Sequence, residues 1–157
     1  MRKLSLADVY ARIPEIECKG LCQDSCGPIA MSNEEDARLR QQGVVIPPML
    51  EAVAALERGD DYYCPALQDQ RCTVYGDRPT ICRLWGATES MPCPHGCTPA
   101  DALSQQESHE LLRLSAEVGG GLAGSFGEPD SPTPPSGEPD SPAPRSGEQD
   151  SPALPEA

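Results

Sequence analysis

The chain has 157 residues, eight of them cysteine, and a formal net charge of −13 with no cluster of Lys and Arg. Nucleic acid and anionic membrane surfaces both need a basic face, so this balance argues against either partner. No stretch approaches the ~20 apolar residues of a membrane span, and Asp8 and Arg12 interrupt the apolar residues of the N-terminus, which predicts no export signal and a cytoplasmic, reducing setting.

In chain order, Ser5 is placed to cap a short helix over Leu6–Arg12, which Pro14 ends. Cys18, Cys22 and Cys26 follow in a loop. Ser32 opens a second helix with Glu35 completing a capping box, and Gly43 is its natural stop. A third helix starts at Pro47-Pro48, with Met49, Leu50, Val53, Ala54 and Leu56 as its buried side and Gly59 as its end. Residues 60–97 hold five cysteines among short pieces, with a brief strand over Cys72–Tyr75 and a helical turn over Thr80–Trp85. Thr98-Pro99-Ala100-Asp101 reads as the cap of a last helix, with Leu103, Leu111, Leu114 and Val118 packed and Gly119-Gly120-Gly121 stopping it.

From Gly127 the chain repeats a decapeptide, GEPDSPTPPS, GEPDSPAPRS and GEQDSPALPE. Pro, Gly, Ser and acid in this proportion cannot build a core and predict disorder. The plain reading is a solubilising tail; the sharper one is an acidic, Pro-rich segment that docks a protein partner or is phosphorylated at Ser131, Ser141 and Ser151. The expected organisation is a cysteine-bearing domain over 1–118 and a disordered tail over 119–157. The expected fold class is small and mainly α, with irregular metal-stabilised loops and a long disordered C-terminal tail.

The cysteines fall into two groups in sequence, Cys18-x3-Cys22-x3-Cys26 and Cys64-x7-Cys72-x9-Cys82-x10-Cys93-x3-Cys97. A free cysteine is usually a small buried hydrophobe, but these are flanked by Gly, Pro, Asp and Arg. Tight turns let a loop aim several sulfurs inward. Zinc takes four such ligands, with thiolate at about 2.3 Å, and a cubane iron–sulfur cluster takes four thiolates from a wider pocket. Eight cysteines fit two four-ligand sites, and fit one site with spare thiols equally well. In a reducing setting, metal is favoured over four disulfides. A domain near 100 residues also has a small core, which metal commonly supplements.

The spaced features Cys64-Pro65-x-Leu67, Cys72-x-Val74-Tyr75 and Arg78-Pro79-x-x-Cys82-Arg83 resemble the second half of the YkgJ-type cysteine-cluster proteins, also called the CxxCxxCC family. Cys18, Cys22 and Cys26, followed by Met31-Ser32-Asn33-Glu34-Glu35, correspond to its first half, although the family's adjacent Cys-Cys pair stands here as Ser25-Cys26. The resemblance covers about residues 18–97. It implies chelation of zinc or iron, and for some members a predicted iron–sulfur oxidoreductase role.

Around the sulfurs, Arg78 and Arg83 are expected to donate to sulfur or to Asp77, or equally to form a surface ion pair with Asp69 or Asp77, with Arg71 and Lys19 further cations nearby. His95, inside Cys93-Pro-His-Gly-Cys97, is an alternative zinc ligand but is more simply an exposed loop residue. His109 is expected in solvent. Trp85 and Tyr75 are expected to cover the site. No phosphate loop, dinucleotide fingerprint or nucleophile motif is present. The leading reading is therefore a metal-binding protein with a structural, carrier or interaction role and no chemistry of its own. The alternatives are an iron–sulfur redox protein or oxidoreductase subunit, and a thiol–disulfide switch.

Overall fold

The computed structural model describes residues 2–124. The disorder, the solubilising role and the partner docking expected of the decapeptide repeats fall at 125–157, outside the described residues.

The described residues form five α-helices and one two-stranded ribbon joined by irregular loops, so the fold is small and mainly α. Helix α1, Leu6–Tyr10, starts at Ser5, whose side chain and Asp8 form a reciprocal capping box. Helix α2, Asn33–Gln41, starts in the same way from Ser32 and Glu35, and Gly43 in the left-handed region follows its end. Helix α3 is Met49–Glu57 and helix α4 is Thr80–Leu84. Helix α5, Gln105–Val118, packs against α1 and α4.

Strand β1, Leu67–Gln68, pairs antiparallel with strand β2, Arg71–Cys72, in the register Leu67 to Cys72 and Gln68 to Arg71. Asp69 and Gln70 make the turn with φ of 46° and 61°, the double left-handed turn that suits tight hairpins. The expected strand over Cys72–Tyr75 is thus displaced toward its N-terminus, because Tyr75–Asp77 closes into a 3-10 turn.

Two other expectations are corrected. Helix α5 is capped by Ser104, not by Thr98. Its capping box is Ser104 with Glu107. Leu103 is held extended beside Thr88, donating to Ala87 O at 2.9 Å and accepting from Glu89 N at 2.9 Å, so it cannot belong to the helix. Helix α3 buries only Ala52. Met49, Leu50, Val53 and Leu56 remain exposed, Leu50 by 63%. Helical periodicity identifies an apolar stripe, not an element that covers it.

The core is divided. Met31, Leu39, Val44, Ile46, Ala66 and Val74 form one cluster, with Cys64 and Cys72 packed at its edge. Val9, Leu84 and Leu111 centre the other. Between the helices lies Glu35, 1% exposed. Its carboxylate accepts from Ser32 N–H at 2.8 Å, Ser32 Oγ at 2.9 Å, Thr80 N–H at 2.6 Å, Thr80 Oγ1 at 2.7 Å and Tyr10 Oη at 3.0 Å. Burial alone would raise the pKa of this carboxyl. The donors of Ser32 and Thr80 outweigh burial and hold it below its ordinary value. One residue thereby completes a helix cap and ties α1, α2 and α4 together.

The glycines after α5 also bond to α2. Gly119 O and Gly121 O accept from Glu34 N at 3.0 Å and Asn33 N at 2.9 Å, and Ala123 N donates to Met31 O at 2.8 Å. The first turn of a helix leaves N–H groups without intrahelical partners; here a distant turn supplies the acceptors.

Candidate metal centre

The thiols reach one another through loops, and the chain's tight turns explain how. Gly20, with φ of 67°, turns the first loop so that its N–H points at Cys18 Sγ, 3.3 Å away. The neighbouring Lys19 N–H donates to Cys97 Sγ at 3.4 Å, and Lys19 Nζ donates to His95 O at 3.2 Å. Two segments 78 residues apart are thereby clasped. Cys93 and Cys97 lie buried at the base of their loop. Gly86 is pressed against them: a Cβ there would come 2.9 Å from Cys97 O and 3.2 Å from Cys93 Cβ.

The second neighbourhood is built by the β1–β2 ribbon and α4. Leu67 N donates to Cys64 O at 2.9 Å, and Cys72 sits opposite Leu67. Cys82 lies midway along α4. Burial is the main reason that the Cys82 thiol is pushed up to about 12; Cys64 raises it further, Arg78 opposes, and Cys72 and Cys26 add smaller increments. Cys64 is raised by burial and by Cys72. Cys26 is exposed as a residue, yet partial burial at its sulfur raises its pKa, followed by Cys64, Cys22 and Cys72.

The charges of the thiols act on one another across the grouping in sequence. Beyond burial, Cys26 feels Cys64 first, then Cys22 of its own run, then Cys72, and Cys82 feels Cys64, Cys72 and Cys26. Cys22, raised by burial, then feels Cys18 and Cys93, which joins the first run to the last pair. Cys93 is the exception in sign. Burial opposes its ionisation, but N–H groups of His95 and Cys97, the Cys97 thiol and the Lys19 charge outweigh it and lower its pKa. All eight thiols are free. Among the described residues, no three His, Cys, Asp or Glu side chains converge tightly enough to hold a metal ion. The sulfurs are neighbours, not a closed ligand shell.

The donor chemistry fits a thiophilic ion. Thiols with raised pKa values stay protonated until a cation displaces the proton, and backbone N–H groups already point at Cys18 and Cys97. Zinc or an iron–sulfur cluster matches such a set; a hard cation that prefers oxygen does not.

The expected cationic partners are placed differently. Arg78 donates through Nε to Tyr75 O at 2.9 Å and lies over the Tyr75 ring, 3.6 Å from its centroid. Arg83 donates to Arg78 O at 2.8 Å and to Gly76 O, and lies over the Tyr10 ring. Neither bonds to sulfur or to Asp77, which instead accepts from Gln42 Nε2 at 2.9 Å. The 3-10 turn at Tyr75–Asp77 leaves carbonyls facing outward, and the guanidinium groups satisfy them. Arg78 reaches Cys82 only through its charge. His95 and His109 are exposed.

Tyr75 lies beside Cys18 and Cys22 and is 44% exposed. Trp85 is half-buried, with Nε1 buried and without a partner. Sequence reasoning missed Tyr62, whose hydroxyl is buried and feels the charges of Cys64, Cys82 and Cys26; its place two residues before Cys64 was the only available signal.

A family model, CxxCxxCC, described as "Putative zinc- or iron-chelating domain", matches residues 17–109. That span contains every cysteine of the chain. No curated protein and no solved structure matches it.

Proposed function

Because this chain belongs to the CxxCxxCC family of zinc- or iron-chelating domains, we propose that it holds metal at two four-thiolate sites. One comprises Cys26, Cys64, Cys72 and Cys82. The other comprises Cys18, Cys22, Cys93 and Cys97. What supports this reading is that Lys19 N–H clasps Cys97 Sγ to the first loop, and that the thiols act on one another across the two runs, Cys22 feeling Cys93 and Cys26 feeling Cys64 and Cys72. A metal in either site would bond segments that lie far apart in the sequence. The role is structural, carrier or interaction in kind, with the loops stabilised by the metal and the domain acting in the cytoplasm. The acidic Pro-rich segment beyond the domain is a candidate for contact with a protein partner.

The test is anaerobic purification followed by absorption spectroscopy, elemental analysis and thiol alkylation. The expected result is stoichiometric metal with all cysteines resistant to alkylation while it is bound. Colourless protein with zinc supports the structural role. Broad visible absorption with iron and sulfide supports the redox alternative at the same sulfurs. Metal-free protein with readily alkylated thiols would contradict both.

A further inference from the structure

Two adjacent tyrosines precede Cys64, and they sit in opposite environments. Tyr63 is 78% exposed. Tyr62 is half-buried, and its hydroxyl oxygen is fully buried with no hydrogen-bond partner. A buried hydroxyl in a folded protein is nearly always paired, and each orphan calls for a physical reason. The groups whose charge reaches this hydroxyl are Cys64, Cys82 and Cys26, all in one of the two thiol sets.

A neutral thiol is a weak acceptor. A thiolate is a strong one, since hydrogen bonds to an ionised acceptor are shorter and stronger. When a cation displaces the thiol protons and draws the sulfurs together, a strong acceptor forms at Cys64, two residues from Tyr62, whose O–H is buried and unpaired. We propose that Tyr62 is a positioning residue of the Cys26, Cys64, Cys72 and Cys82 site, its hydroxyl donating a hydrogen bond to one of these thiolates in the metal-bound protein. The inference rests on the two-site reading above. Its chemical consequence is specific: the donor withdraws charge from sulfur, stabilises the thiolate against reprotonation and fixes the orientation of its lone pairs.

The experiment compares the full chain with Tyr62→Phe and Tyr63→Phe, each loaded with zinc and separately with cobalt(II). Zinc affinities come from competition with a chromophoric chelator, and the sulfur-to-cobalt charge-transfer bands from absorption. Tyr62→Phe is expected to weaken one of the two binding steps by about 10-fold or more and to move that site's band to lower energy. The other step is unchanged, and Tyr63→Phe matches the native chain in both readouts. A Tyr62→Phe protein with native affinities and native bands would overturn the proposal. So would an equal loss at both steps with no band shift, which marks a packing role for the ring. A native chain that binds neither metal through its thiols would overturn the two-site reading and this proposal with it.

Discussion

The Glu35 carboxylate and the eight thiols are both polar groups drawn from water, but the molecule treats them differently. Glu35 is surrounded by donors from Ser32, Thr80 and Tyr10, so its charge is satisfied by the chain's own atoms. In the thiol region the sulfurs are free, the Cys22, Cys26, Cys64 and Cys82 thiols are raised in pKa, and the Tyr62 hydroxyl is buried without a partner. One region closes its hydrogen bonds with backbone and side chains. The other presents a set of donors and sulfurs suited to a cation. The comparison separates a helical part, α1, α2 and α4 tied together at Glu35, from the cysteine-bearing loops.

Removing the metal is the largest perturbation available. Structural zinc sites carry apparent binding free energies of about 10–16 kcal/mol, much of which is folding free energy. Chelation of the loaded protein is expected to abolish amide protection across residues 64–77 while α5 retains part of its own, measured by hydrogen exchange. Simultaneous loss in both regions would break the comparison and make the domain one cooperative unit.

Glu35→Gln attacks the other region. It removes a buried charge that five hydrogen bonds stabilise and is expected to cost about 3 kcal/mol at neutral pH, with metal content unchanged. The sign with pH follows from the lowered pKa. A carboxyl held below its ordinary value of 4.5 contributes stability above that value and loses it as pH falls through the lowered pKa. The stability difference between native and Glu35→Gln protein should therefore narrow on acidification, as read by denaturant titration. A difference that widens would contradict the assignment.

A smaller effect concerns the turn after α5. Ending the chain after Gly124 is expected to leave stability and metal content unchanged. Ending it after Val118 removes the acceptors of Asn33 N–H and Glu34 N–H and is expected to cost on the order of 1–2 kcal/mol. Thermal melts of the two truncated chains distinguish these outcomes.

What could be read from the sequence was local. The capping boxes at Ser32 and the stop at Gly43 depend on contacts within a few residues, and the helices begin and end there. The start of α5 was misjudged because Leu103 is claimed by Ala87 and Glu89, which lie far upstream. The apolar residues of α3 gave a helix but not its burial. The cysteines announced metal chemistry by number and setting. Contacts between the two runs, such as Lys19 N–H to Cys97 Sγ, were hidden because loops far apart in the chain make them, and chain order suggests a run of three and a run of five. The role of Glu35 as a hub was half visible: its cap was legible, its bonds to Thr80 and Tyr10 were not.

The central claim is the pairing of sulfurs across that chain order, and alkylation mapping of Cys82→Ser and Cys93→Ser tests it most directly. In the metal-loaded native chain all eight cysteines should resist alkylation. Cys82→Ser should expose Cys26, Cys64 and Cys72 and leave Cys18, Cys22, Cys93 and Cys97 protected. Cys93→Ser should expose Cys18, Cys22 and Cys97 and leave the other set protected. Protection that follows chain order instead, with Cys18, Cys22 and Cys26 exposed together, or exposure of every thiol by either substitution, would contradict the account.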